Sequence, residues 1–141
     1  MDDVPDGQSL YWGDFHKHMT DPRTDSLERL DEIIEYASYH LDVFNVMCYP
    51  FKWHRRGANG GIMQETVGGE PEFEEWWERI QAAAERNLSE NFVTFPGYEW
   101  HGDRTRWGDH TVVYFEEGYP LDDENDLPDL YENMRERRAF V

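Results

Sequence analysis

Lysine is nearly absent from this chain. Lys17 and Lys52 are the only two, and arginine carries the rest of the positive charge. Together they make 13 basic residues against 31 Asp and Glu, a formal net charge of −18 at pH 7. So negative a surface repels phosphate backbones and anionic lipid, which disfavours a nucleic-acid partner and a membrane partner. Cysteine is scarcer still, and the single Cys48 excludes an internal disulfide. No apolar run approaches the roughly 18 residues of a membrane-spanning helix, and the first residues lack a basic stretch backed by an apolar one. A soluble, cytoplasmic protein is therefore expected. The acids are spread along the chain, which suits a cytoplasm of high ionic strength where self-repulsion is screened over a few ångströms; a halophilic source is expected.

What the chain has is aromatic mass. Aromatic residues make up 16% and hydrophobic residues 38% of its 141 positions, too much burial capacity for a disordered chain. A single domain of this size buries about 70% of its unfolded surface. It falls short of the roughly 250 residues of a complete eight-unit α/β barrel.

Residues 9–15 have the composition of a short strand, followed by a loop over 16–23. Asp25, with Glu28 three positions on, has the form of a helix cap, and Leu27, Leu30, Ile34, Ala37 and Leu41 then recur at helical spacing. Residues 42–48 form a second strand, and 52–69 a long polar, glycine-rich loop. Pro71 opens a second helix whose buried face is Phe73, Trp76, Trp77, Ile80, Ala84 and Leu88. Residues 92–97 are expected as strand three, 98–109 as a loop, 110–115 as strand four and 130–138 as a weak final helix. Helical segments between buried strands make crossover connections, so the order predicts an α/β layer or part of a barrel. The chain stops at Val141 without a closing polar tail, and it is expected to be a fragment.

Chemistry concentrates at three places. In Gly13-Asp14-Phe15-His16-Lys17-His18 the two histidines stand at i and i+2 after a strand, where extended backbone points them the same way and two imidazoles can share a divalent metal. Asp14 either orients a histidine or caps the turn. The second place is Gly97-Tyr98-Glu99-Trp100-His101, followed by Gly108-Asp109-His110. A carboxylate at Glu99 and a histidine a short loop later make a mixed nitrogen and oxygen set suited to zinc, manganese or iron, although Glu99 also reads as one exposed acid among many and His101 as a surface histidine. The third is Lys52-Trp53-His54-Arg55-Arg56, a basic island in an acidic protein, which Arg104 and Arg106 could join. It either clamps an anion through guanidinium groups or simply relieves local negative charge. Cys48 reads as a small buried residue, His40 as a helix-end residue near the dipole, and Trp76 with Trp77 as core.

Residues 11–20, Tyr-Trp-Gly-Asp-Phe-His-Lys-His-Met-Thr, resemble the first motif of the PHP (polymerase and histidinol phosphatase) superfamily. More particularly they resemble its branch that begins Y-W-G-D-L-H and later carries P-G-Y-E-W and G-D-H-x-V-Y-F segments; here those are residues 95–100 and 108–115. The resemblance implies a distorted (β/α) barrel, of which this chain would supply about the first half, the missing C-terminal half of the same domain lying beyond it. It implies two or more divalent metal ions and phosphoesterase activity on a small anionic substrate, with metal-bound hydroxide as nucleophile. His16 and His18 match the first metal pair, Glu99 the bridging carboxylate and His110 the following histidine. After strand two the family carries a further histidine, whereas this chain has Asn45-Val46-Met47-Cys48; His54 could substitute. Three other readings stand beside it: an amidohydrolase-type barrel, a non-catalytic or degenerate PHP-like scaffold, and an anion-binding module built on the 52–56 loop.

Overall fold

The computed structural model describes residues 8–17, 19, 29–48, 51–56, 61–66, 71–122 and 124–141, with backbone alone for 48, 51–56, 61–66, 71, 72 and 104. In chain order its elements are β1 (Gly13–Asp14), α1 (Leu30–Ser38), β2 (Val43–Cys48), β3 (Phe51–Arg56), β4 (Gly61–Thr66), α2 (Pro71–Asn87), β5 (Val93–Trp100), α3 (Arg104–Trp107), β6 (His110–Tyr114), α4 (Leu127–Arg135) and β7 (Ala139–Phe140). The fold is mixed α/β. An open five-stranded sheet is ordered β1-β2-β5-β6-β7, parallel across β1, β2 and β5 and antiparallel thereafter. β3 and β4 form a separate antiparallel hairpin.

The two faces of the sheet follow from the two-residue period of its strands. Phe44 and Val46 of β2, Tyr98 and Trp100 of β5, and Val112 and Tyr114 of β6 point to one face. There they join Ile34 of α1, Trp77 and Ile80 of α2, and Leu130 and Met134 of α4 in a single core. Polar atoms carried into that core find partners: the Trp77 indole N–H donates to the Tyr119 carbonyl at 2.7 Å, and the Thr94 hydroxyl to the Ala84 carbonyl at 2.5 Å. Asp122, itself buried, receives Asn133 Nδ2 at 2.9 Å and Arg137 Nη1 at 3.1 Å, and so ties the stretch before α4 to that helix's end.

The alternate positions face the other way, and the sheet curls toward them. A flat sheet at about 4.8 Å per strand would hold β1 and β7 roughly 19 Å apart. Yet Phe15, just after β1, meets Phe140 of β7 edge to face at 5.9 Å. Phe140 in turn lies 5.9 Å from Phe115, and Phe115 lies 5.4 Å from Phe95. Four phenylalanines thus form a layer on the concave side of the sheet, with Phe15, Phe115 and Phe140 still open to solvent. Above it β5 carries Gly97, where a Cβ would fall 2.3 Å from Asn45 Oδ1 and 2.6 Å from the Val112 carbonyl oxygen. Glycine is what allows β2, β5 and β6 to approach this closely.

Several expectations change. The 52–69 stretch is no simple loop, because its polar and aromatic residues form β3 and β4, whose backbone groups pair from Phe51↔Thr66 to Arg56↔Gly61. β5 continues through Trp100, since β6 pairs with it as far as Trp100↔His110. The expected 98–109 loop therefore holds a strand end and the short α3. β1 shrinks to Gly13–Asp14, and α4 begins at Leu127 with Pro128 in its first turn. β7 was not expected from the sequence. The cap at Asp25 and the start of the first helix at Leu27 lie outside the described residues.

Candidate metal centre

At the C-terminal end of β5, Glu99 stands directly opposite Thr111 of β6. His101 lies two residues beyond Glu99, and Asp109 two before Thr111, so the same alternation brings all four side chains to the inside of the curl. Gly108, at φ +77°, turns the chain into β6 with a conformation that glycine adopts without strain. The short α3 ahead of it is capped by Asp103, whose carboxylate accepts the Thr105 hydroxyl at 2.6 Å and the Thr105 backbone N–H at 3.1 Å. That hydroxyl hydrogen bond is the main cause holding the Asp103 carboxyl below the usual carboxylate range.

Glu99, His101 and Asp109 each offer one ligand atom within 4.8 Å of the others. His101 Nε2 lies 3.0 Å from Glu99 Oε1 and 3.5 Å from Asp109 Oδ1. The side chains are 1% exposed for His101, 7% for Glu99 and 28% for Asp109, a buried base with one wetter edge. His16 arrives from the end of β1, its Nε2 3.8 Å from Glu99 Oε1.

The loop carrying His16 is held at its backbone and at its ring. Asp14 Oδ1 accepts the His16 backbone N–H at 2.9 Å, so Asp14 acts as the turn cap. Asn45 Nδ2 donates to the Phe15 carbonyl at 3.1 Å from the neighbouring strand. His16 Nδ1 meets Thr111 Oγ1 at 2.9 Å.

The donor set fits a borderline divalent cation. Ligands at about 2.0–2.2 Å from a tetrahedral zinc stand roughly 3.4 Å from one another, near the spacings around His101 Nε2. Two imidazoles and two carboxylates also match manganese or iron chemistry.

Of the residues singled out in the sequence, the structure brings His16 and Glu99 together. His110 stays apart. It pairs with Trp100 on the opposite face, where their rings lie 5.6 Å apart, and its Nε2 donates to the Trp107 carbonyl at 3.0 Å. One residue of strand parity puts Asp109, not His110, beside Glu99, and the completely buried His101 is no surface histidine. His18 lies outside the described residues. His54, Arg55 and Arg56 lie on β3, with side chains outside what is described. Arg106 stacks 4.3 Å over the Trp107 ring and sits 3.6 Å from Asp126. Sequence reasoning gave Asp109 no role, and the signal that points to it is the i, i+2 spacing from Glu99 to His101, mirrored from Asp109 to Thr111 across the strand pair. No family model, curated protein or solved structure matches this chain.

Proposed function

We propose that this chain carries part of a metal-dependent hydrolase of PHP type that cleaves a phosphoester. The observation that carries the reading is the meeting of Glu99, His101 and Asp109, with His16 beside them, at the C-terminal end of the parallel strands. Sites in α/β folds assemble at that end. The curled sheet, with its inward phenylalanine layer, is read as a section of a (β/α) barrel wall.

In this reading Glu99 and Asp109 neutralise a zinc, manganese or iron cation, and His101 and His16 add nitrogen ligands. A cation bound there supplies Lewis acidity at a phosphoryl oxygen and a stronger nucleophile from water. The surrounding −18 favours cation uptake and opposes an anionic substrate. The β3–β4 hairpin offers the counterweight: it follows Cys48, which is in register with Tyr98 at this same end of the sheet, and it carries Lys52, His54, Arg55 and Arg56.

The test is metal content by plasma mass spectrometry on protein purified in molar KCl, for the wild type and for Glu99→Gln and His16→Ala. Hydrolysis of p-nitrophenyl and bis-p-nitrophenyl phosphate is measured alongside. Metal bound by the wild type, lost in the variants and needed for turnover is the expected result. A folded protein that takes up no metal overturns the reading. The strand-two end, Asn45-Val46-Met47-Cys48, favours a second reading, a degenerate scaffold that keeps the fold without metal-dependent turnover.

A further inference from the structure

Thr111 has no part in the ligand set, yet its hydroxyl meets the ring of His16 at Nδ1. We infer that Thr111 is a positioning residue, fixing which nitrogen of His16 faces the metal centre; the inference rests on the metal reading above.

Three observations meet here. Thr111 is the direct cross-strand partner of Glu99, so its side chain and that carboxylate share one face of the β5–β6 pair. Its Oγ1 lies 2.9 Å from His16 Nδ1, while the other ring nitrogen, Nε2, is the atom that points toward Glu99 Oε1 at 3.8 Å. The His16 imidazole is more than half exposed, at 57%, so packing alone does not set its angle. An imidazole can ligate only through a nitrogen with a free lone pair. With Nε2 as the ligating atom the ring proton lies on Nδ1, and Thr111 Oγ1 stands where it can accept it, which keeps the Nε2 lone pair directed at the centre. Carboxylates and carbonyls hold ligating histidines in this way in many metal sites, and a hydroxyl does the same work here.

The geometry also explains why a β-branched hydroxyl residue suits the position. Threonine on a strand has a stiff χ1 torsion, so the hydroxyl is aimed before any metal arrives. Asp14 and Asn45 fix the backbone of the loop, and Thr111 fixes the ring at its end.

The test uses Thr111→Val, which keeps the shape and loses the hydroxyl, and Thr111→Ser, which keeps the hydroxyl. Zinc affinity is measured by chelator competition in molar KCl, with circular dichroism to verify folding. Long-range proton–nitrogen NMR reads the His16 tautomer without metal. The expected result is a wild type in the Nδ1–H form, a Thr111→Val variant that binds zinc about 10–100-fold more weakly with a mixed tautomer, and a Thr111→Ser variant close to the wild type. Wild-type affinity in Thr111→Val, or equal loss in valine and serine variants, overturns the positioning role while leaving the metal site in place. A wild type that binds no zinc overturns the metal reading, and this inference with it.

Discussion

At Asp109 and His110 a single step into β6 separates a carboxylate on the inside of the curl from an imidazole on the helix-covered face. Asp109→Ala is therefore expected to lower zinc affinity more than the roughly 10–100-fold that loss of an outer-shell partner costs. His110→Gln, which retains a donor for the Trp107 carbonyl, is expected to leave affinity unchanged; competition with a chromophoric chelator measures both. The sequence made Glu99 and His16 visible because each sits in a short motif next to a strand. It could not choose between Asp109 and His110, because that choice depends on where β6 begins to pair with β5, and histidine is the more conspicuous ligand type. His101 was ambiguous for a related reason. Once β5 runs to Trp100 instead of stopping at Gly97, the next residue is buried beside Glu99 rather than standing free in a loop.

At the scale of elements, the close approach of β2, β5 and β6 at Gly97 makes a sharp prediction. Gly97→Ala puts a methyl against Asn45 Oδ1, which can shift, and against the Val112 carbonyl, which belongs to the backbone and cannot easily do so. A loss of about 1–3 kcal/mol in urea unfolding is expected, only partly relieved by adding Asn45→Ala. Tyr98 and Tyr114 supply a pH prediction. Burial, the largest cause in both, pushes the two phenols above the ordinary value near 10, with the Arg137 guanidinium opposing it at Tyr114. A raised folded-state value means that the contribution to stability is fully present below about pH 10 and is lost as pH rises further. Tyrosinate absorbance near 295 nm should thus show a fraction of tyrosines that ionise only as the far-ultraviolet circular dichroism collapses; smooth ionisation of all eight tyrosines with the fold intact would refute it. α1, α2, β2 and β6 were legible because their apolar spacing is regular. The β3–β4 hairpin was not, since lysine, histidine and arginine along β3 and the glycine at the start of β4 imitate a loop, and the pairing that stabilises it is invisible in either strand alone.

Over the whole molecule, a net charge of −18 on 141 residues makes stability depend on screening. The Debye length falls from about 10 Å at 0.1 M salt to about 3 Å at 1 M. The melting temperature is accordingly expected to climb steadily from 0.1 to 2 M KCl, and to climb far less in sucrose, which leaves the charges unscreened. Composition alone carries that expectation, whereas the curl of the sheet left no trace in the sequence, because it is expressed only in contacts such as Phe15 with Phe140. Those contacts also set an order of events. His16 and Thr111 are 95 positions apart along the chain, so a nascent polypeptide has no means of completing the centre until β6 has emerged and docked. Closing so long a span is entropically expensive and slow next to helix formation. Cation uptake should therefore trail the appearance of helical signal on refolding, a late clock tick that reports arrival of the last strands rather than collapse of the core.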